Sequence, residues 1–397
     1  MSDFSAQAAR EFLQAHLDDY LADLRALVNI DCGTHNRAGV NRAGEWLAAR
    51  LAAWGWAVER YPLADYGDAW RGTLRGRGDA RLLLLGHLDT VYPDGTAAER
   101  PMRIEQNTIY GPGVADMKAG ILTGLWAARA LQAQDWAGFG ELGLLCDSDE
   151  EVGSPAGAAL IAPLAAAADA VFVLEAARVN GDIVSARKGG GVFTLRVHGR
   201  AAHAGVEPEK GANAIVELAH QILAATALNG LRPGVTVNPD VVRGGTKVNV
   251  IADFAEAQLD VRAIDPAGMG AVESALRGLP ESASVPGTRV ELIGGIHAVP
   301  MPKTPGNAHL VGLAQAVAAE LGFALRDAPI TGGTSDANFV AAAGVPVLDG
   351  LGPIGGNDHS PDEYLERDSI VPRTALLAGL LARACDELEA LRQLRGL

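Results

Sequence analysis

The chain has 397 residues, 48% of them hydrophobic, and a formal net charge of −15, which suits a soluble enzyme of more than one domain. The acidic balance argues against nucleic acid or an anionic membrane surface as a partner, and no stretch has the length and apolarity of a membrane span. Cys32, Cys146 and Cys385 are scattered without a CxxC spacing; this points to reduced thiols in a cytoplasmic protein and excludes a thiolate zinc site.

In chain order, Phe12, Leu13, Leu17, Tyr20, Leu21 and Leu24 form one helical face, and residues 6–56 read as two helices, the second around 43–54. The first 27 residues lack the basic start and apolar core of a signal peptide. From 57 to 185 strands alternate with helices: a strand at 81–85, a helix at 117–131, a strand at 142–147, a helix at 156–166 and a strand at 170–174. That alternation predicts βαβ units around a mixed, mainly parallel sheet flanked by helices. Near Ser185 the pattern changes. Residues 190–199 alternate in period two, as in a sheet with one wet face. A helix at 212–225 follows, then strands near 234–242, 246–251 and 254–263, a helix near 267–276 and a strand at 289–293. The order β-α-β-β-α-β is ferredoxin-like. Pro300, Pro302 and Pro305 mark a return linker, followed by a helix at 308–321, an apolar strand at 345–348 and a last helix from about Val371. The expected fold is therefore an α/β domain built from residues 1–186 and 301–397, interrupted by an inserted α+β domain at 187–300.

Chemistry-bearing residues fall at the ends of these strands. The run Leu82–Leu85 leads into Gly86-His87-Leu88-Asp89-Thr90. Strand alternation turns His87 and Asp89 the same way, at the carboxyl end where open α/β sheets place their sites. Asp116 ends the glycine-rich stretch from Gly111, Asp149-Glu150-Glu151 follows one strand, Glu175 closes another, and His359 lies in Gly355-Gly-Asn-Asp-His-Ser. Each also has a plainer reading. His87 suits a hydrogen-bonded strand-end histidine, Asp116 a helix N-cap, 149–151 a solvated turn and His359 a surface loop. Glu175 is harder to dismiss, because an acid ending a buried strand needs a partner. The pair Gly111 and Gly113 lacks the spacing and position of a dinucleotide loop. Together, two histidines and three carboxylates are too many for one tetrahedral ion and suit two divalent ions sharing a carboxylate. A further carboxylate then remains for proton transfer.

With these motifs, and with Gly199-Arg-Ala-Ala-His203-Ala-Gly205, the chain from about residue 20 to about 390 resembles the co-catalytic zinc peptidase family. That family includes carboxypeptidase G, aminoacylase and succinyl-diaminopimelate desuccinylase, and the likeness is to carboxypeptidase G in particular. The resemblance implies two Zn2+ per subunit, with Co2+ or Mn2+ as possible substitutes. Asp116 would bridge them, His87 and Glu175 would complete one site, and Glu151 and His359 the other. Asp89 would orient His87, Glu150 would be the general base, and a cis peptide would follow Asp116. The inserted domain would be a lid that makes a homodimer. His203 would stabilise the oxyanion, Asn249 and Arg262 would bind a substrate carboxylate, and the loop Gly332-Gly333-Thr334-Ser335-Asp336 would lie beside the site. Asn249 also suits a plain sheet residue and Arg262 a surface ion pair.

The expected reaction is hydrolysis of an amide next to a free carboxylate, releasing a C-terminal glutamate or related amino acid from a peptide or N-acyl amino acid. Where relatives often carry an arginine just before the linker, this chain reads Gly294-Gly-Ile-His297-Ala-Val-Pro300, and His297 is a weaker clamp at neutral pH. Arg187 and Lys188 at the hinge are further candidates. An N-acyl-amino-acid deacylase or dipeptidase is the alternative, separated by substrate choice alone. A metal-binding module without catalysis belongs to another class, and retention of Glu150 beside all five ligands argues against it.

Overall fold

Leu82, Leu83, Leu84 and Leu85 are buried in the strand Ala80–His87, near the middle of a six-stranded sheet. The computed structural model describes residues 4–396. The sheet runs Ala57–Tyr61, Ala69–Arg75, Phe139–Asp147, Ala80–His87, Ala170–Val173, Val347–Leu348. Its first two pairings are antiparallel and the remaining three parallel. The buried helix Ala119–Ala133 and the helix Ile370–Asp386 pack into the same core. A small sheet of Gly355–Gly356, Tyr364–Glu366, Thr108–Tyr110 and Arg103–Glu105 ties the segment near His359 to the segment before Asp116.

The chain divides into two compact units. The larger runs to Ala186 and includes Lys303–Pro329 and the chain from Ser335; the smaller is Arg187–Pro302 with Ile330–Thr334. The smaller unit has its own core around Phe193, Leu195, Val261 and Leu276. Its sheet order is Arg289–Ala298, Gly189–His198, Phe254–Ala263, Thr236–Gly244, antiparallel throughout, and the helices Ala214–Thr226 and Pro266–Gly278 contribute to that core. This is the ferredoxin-like order of strands and helices.

Several sequence expectations need correction. The N-terminal pair of helices is three, Ala6–Ala15, Leu17–Val28 and Arg37–Ala53; His16 breaks the first run, and Asn36 caps the third by accepting from the Gly39 N–H. No strand forms at 246–251: Gly245, at φ +67°, turns the chain away after Gly244, and Val250 makes a lone bridge with His203. The strand expected at 345–348 shortens to Val347–Leu348 after Pro346. Gly333 and Thr334 group with the smaller unit and not with the second part of the larger one. The reason is local pairing: the Lys188 N–H donates to the Thr331 carbonyl at 2.9 Å, and the Arg187 guanidinium donates to the Gly333 carbonyl at 3.1 Å.

Candidate metal centre

His87 sits at the last position of its buried strand, and Asp89 follows where the chain leaves the sheet. Both are buried. The His87 Nδ1–H donates to the Asp89 carbonyl oxygen at 3.0 Å, with the Asp89 carboxylate 3.4 Å away. That fixes the ring and turns Nε2 outward, as a metal-binding imidazole requires. The Asp89 carboxylate also accepts from the Thr34 hydroxyl (2.7 Å) and from the backbone N–H groups of Glu150 and Glu151, each at 3.3 Å. One acid thus holds both the histidine and the turn that carries the next two carboxylates.

Asp116 does not cap a helix. The helix begins at Ala119, and Asp116 and Met117 have non-helical backbone angles joined by a cis peptide bond. The loop before it passes Gly113, at φ +71°, where a Cβ would lie 2.6 Å from the Thr90 methyl carbon; only glycine meets both demands. Asp116 then turns its two oxygens to different imidazoles. Oδ1 is 3.0 Å from His87 Nε2 and Oδ2 is 3.2 Å from His359 Nε2. His359 Nε2 is also 3.1 Å from Glu151 Oε2, and His87 Nε2 is 3.8 Å from Glu175 Oε1. His359 is exposed and held at φ +62°, a left-handed conformation that is rare outside glycine and recurs at functional sites. Ligand atoms of His87, Asp116 and Glu151 all lie within 4.8 Å of one another.

The charges of this cluster balance poorly among themselves. Hydrogen bonds to Asp116 and Glu151 push the His359 imidazole up to about 11. Burial works against a charged His87, yet hydrogen bonds to Asp116 and Asp89 hold its pKa well above the usual histidine range. Burial also works against ionised Asp116, but its hydrogen bonds to His359 and His87 hold it well below the usual carboxylate range. Burial raises Glu151 and, with Glu175, Asp336 and Asp116 near it, raises Glu150 strongly. Imidazoles drawn into the charged form between buried acids supply the positive charge that a divalent ion would bring to the same donors. Histidine and carboxylate donors without sulfur suit zinc, cobalt or manganese. The Glu150 side chain takes no part in the chain of contacts from Glu175 through His87, Asp116 and His359 to Glu151, although it starts the same turn as Glu151.

Sequence reasoning missed Glu363. Its buried carboxylate accepts from the backbone N–H groups of Gly113 (2.8 Å), Ala115 (2.8 Å) and Asp116 (3.0 Å), and from the Tyr92 hydroxyl (2.7 Å). Burial outweighs these donors and pushes its pKa up to about 7. The one clue was its place four residues after His359. Asp147 and Asp336 lie beneath the site, fully or nearly buried, and Asp336 accepts from the Ser154 hydroxyl at 2.5 Å. Burial lifts Asp336 to about 6, and burial with Asp336 and Asp89 nearby raises Asp147. A cavity of about 550 Å³ adjoins Glu151 and is lined by Thr34, His35, Tyr92 and Val152, among others.

The remaining expected site residues lie in the smaller unit. His203 is exposed, its Nδ1 accepting from the Gly205 N–H at 3.1 Å. The Asn249 carbonyl accepts from the Ala204 N–H at 3.0 Å. Arg262 is half-buried and engaged by Asp260. Gly333 is exposed, with Thr334 half-buried beside it.

Residues 83–383 match the profile of Peptidase family M20/M25/M40. Carboxypeptidase G2 of Pseudomonas sp. (strain RS-16) is 32% identical over 361 residues, covering 90% of this chain and 87% of its own. Acetylornithine deacetylase of Edwardsiella ictaluri (strain 93-146) is 26% identical over 394 residues, 94% of this chain and 100% of its own. The crystal structure of Bacillus subtilis YXEP, described as a dinuclear metal binding peptidase from the M20 family, superposes with a TM-score of 0.69 over 94% of this chain and 99% of that one, at 17% identity. Among the described residues no helix is long and apolar enough to cross a membrane. With a mixed sheet flanked by helices, a second α+β unit and a histidine–carboxylate cluster at the strand ends, the chain belongs to the M20 family of metallopeptidases and amidohydrolases.

Proposed function

We propose that the protein is a carboxypeptidase that hydrolyses the amide next to a free carboxylate, releasing an amino acid from a peptide or an N-acyl amino acid. The observation that carries this is Asp116, one carboxylate with its two oxygens on two imidazoles, flanked by Glu175 on one side and Glu151 on the other. His87, Asp116 and Glu175 would hold one Zn2+, and Asp116, Glu151 and His359 a second. Metal ions bound there would supply acidification of water and polarisation of the scissile carbonyl. Glu150 takes the proton of the attacking water and returns it to the departing amine, a task that suits a carboxyl whose pKa is raised by burial. Asp89 keeps His87 aligned, and His203 donates to the developing oxyanion. Arg262, Asn249 and the loop bearing Gly333 and Thr334 receive the substrate carboxylate.

A second reading, an N-acyl-amino-acid deacylase or dipeptidase, draws on the acetylornithine deacetylase likeness and uses the same residues. The three cysteines are free, in keeping with the cytoplasm. The strand Thr236–Gly244 is an edge of its sheet with Val241 and Val242 exposed, which favours a homodimer through the smaller unit.

The test is Glu150→Gln. It should keep two metal ions per chain by elemental analysis while kcat falls about 10²–10⁴-fold against a panel of N-acyl amino acids and dipeptides. Ordinary turnover in this variant removes Glu150 as the base; a wild-type panel without chelator-sensitive hydrolysis removes the carboxypeptidase reading itself.

A further inference from the structure

Three segments of the larger unit enclose the cavity beside Glu151: residues 33–36, residues 90–94 directly after His87 and Asp89, and the turn Glu151-Val152. Their backbones are tied together. The Thr90 N–H donates to the Cys32 carbonyl at 3.0 Å, and the Thr34 N–H donates to the Thr90 carbonyl at 3.1 Å. A Cβ on Gly33 would lie 2.3 Å from the Tyr92 carbonyl oxygen, so only glycine lets the first two walls meet this closely. The Asp89 carboxylate takes the Thr34 hydroxyl from one wall and the Glu151 N–H from another. Tyr92 is held at its hydroxyl by Glu363. The walls are thus set by the same groups that set the metal donors.

Val91 and Val152 in this lining remain 41% and 44% exposed, and Pro93 is exposed as well. Large apolar side chains left uncovered at a concave site form a surface that a ligand can cover. Among the described residues that line the cavity there is no lysine or arginine. Its acids are Glu151, a metal donor in the proposed function, and Asp94, whose carboxylate accepts from the Asn36 amide. Arg100, the cation over the Tyr92 ring, donates to the Pro361 carbonyl and does not line the cavity. His35 lines it and stacks on Tyr66, with ring centroids 6.3 Å apart. A volume of about 550 Å³ is far more than an acetyl group fills and falls in the range of small-molecule sites.

We infer that this cavity is a subsite for the acyl portion of the substrate, selecting bulky uncharged acyl groups over acetyl and over acyl groups that end in a carboxylate. The inference deepens the proposed function and rests on its assignment of the metal donors and of the scissile amide. The released amino acid always carries a carboxylate, and a lining with acids and no lysine or arginine is a poor place for it. The acyl portion need carry no charge. A pentanoyl chain or a benzoyl ring can cover Val91 and Val152 and so remove apolar surface from water on both partners. An acetyl group ends one carbon beyond the scissile carbonyl and leaves them wet. A succinyl group brings a second charge into a lining that has Asp94 and no lysine or arginine to pair it.

The experiment uses zinc-loaded protein and the acetyl, pentanoyl, benzoyl and succinyl derivatives of L-glutamate and, in a second series, of L-leucine. It reads kcat/KM in the wild type and, by calorimetry, Kd in the Glu150→Gln variant, where turnover does not interfere. Pentanoyl and benzoyl should exceed acetyl and succinyl by about tenfold or more in both measurements, in whichever series is accepted. Val91→Lys and Val152→Lys should each move the succinyl-to-pentanoyl ratio toward succinyl by about tenfold. Because that ratio is taken within one variant, it does not depend on how much of the variant is folded or metal-loaded. Equal or better use of acetyl or succinyl by the wild type, or a ratio that neither variant moves, overturns the subsite while leaving amide cleavage standing. Binding in the expected order without cleavage of any compound supports the subsite and refutes the cleavage reading. Absence of both binding and cleavage refutes both.

Discussion

At Glu363 one carboxylate takes four donors, three of them consecutive or nearly consecutive N–H groups of the loop that ends in Asp116. Each oxygen accepts from two groups, so an amide in its place must turn an NH2 toward at least one N–H and lose that bond. Glu363 touches no expected ligand side chain, and its role is to set where the Asp116 oxygens point. Glu363→Gln should therefore weaken zinc binding about 10–100-fold, the usual cost of removing a partner that orients a ligand, with far-UV circular dichroism unchanged. Zinc titration by calorimetry checks this, and unaltered affinity would mean the loop holds its shape without Glu363. Asp89 acts in a similar way, since its one carboxylate joins Thr34, His87 and the turn at 150–151.

Among the elements, the helix Ala119–Ala133 approaches the sheet closely at its first turn. A Cβ on Gly120 would lie 1.8 Å from the Leu174 carbonyl oxygen, so backbone meets backbone where Asp116 and Glu175 leave their elements. Gly120→Ala must push helix and strand apart, at a cost of about 1–3 kcal/mol or more. Chemical denaturation should show that loss, and zinc affinity should fall with it as the two carboxylates separate. The same elements show what the sequence made legible. His87, Asp116, Glu150, Glu151, Glu175 and His359 stand out because each ends an apolar run or interrupts a glycine-rich one, a signal carried by neighbouring residues. Glu363 has no such frame: it follows Ser-Pro-Asp in a polar stretch, and only folding brings it to Gly113. The strand Ala57–Tyr61 escapes notice because it is an exposed edge with Glu59 and Arg60 in its centre. The strands near Tyr110 and Gly355 are two or three residues long, too short for a period to register.

For the whole molecule, the smaller unit closes a separate core within one excursion of the chain, apart from the short segment Ile330–Thr334. Its edge strand presents Val241 and Val242 with nothing paired beyond it among the described residues. If this edge joins two copies, Val242→Glu should convert a species of twice the chain mass into a monomer in light scattering, with the unfolding transition little changed. A wild type already monomeric at micromolar concentration would refute the dimer.

The excursion also orders events in time. His87, Asp116, Glu151 and Glu175 precede the smaller unit in the chain, whereas His359 and Glu363 follow it. During synthesis, the acidic side of the cluster emerges on the order of ten seconds or more before its second imidazole and the clamp on the Asp116 loop. Until then the loop lacks its Glu363 clamp and the acids have one histidine among them. The inserted domain is thus a built-in delay: the nascent chain carries the residues of a second core before it can assemble a complete metal-binding set.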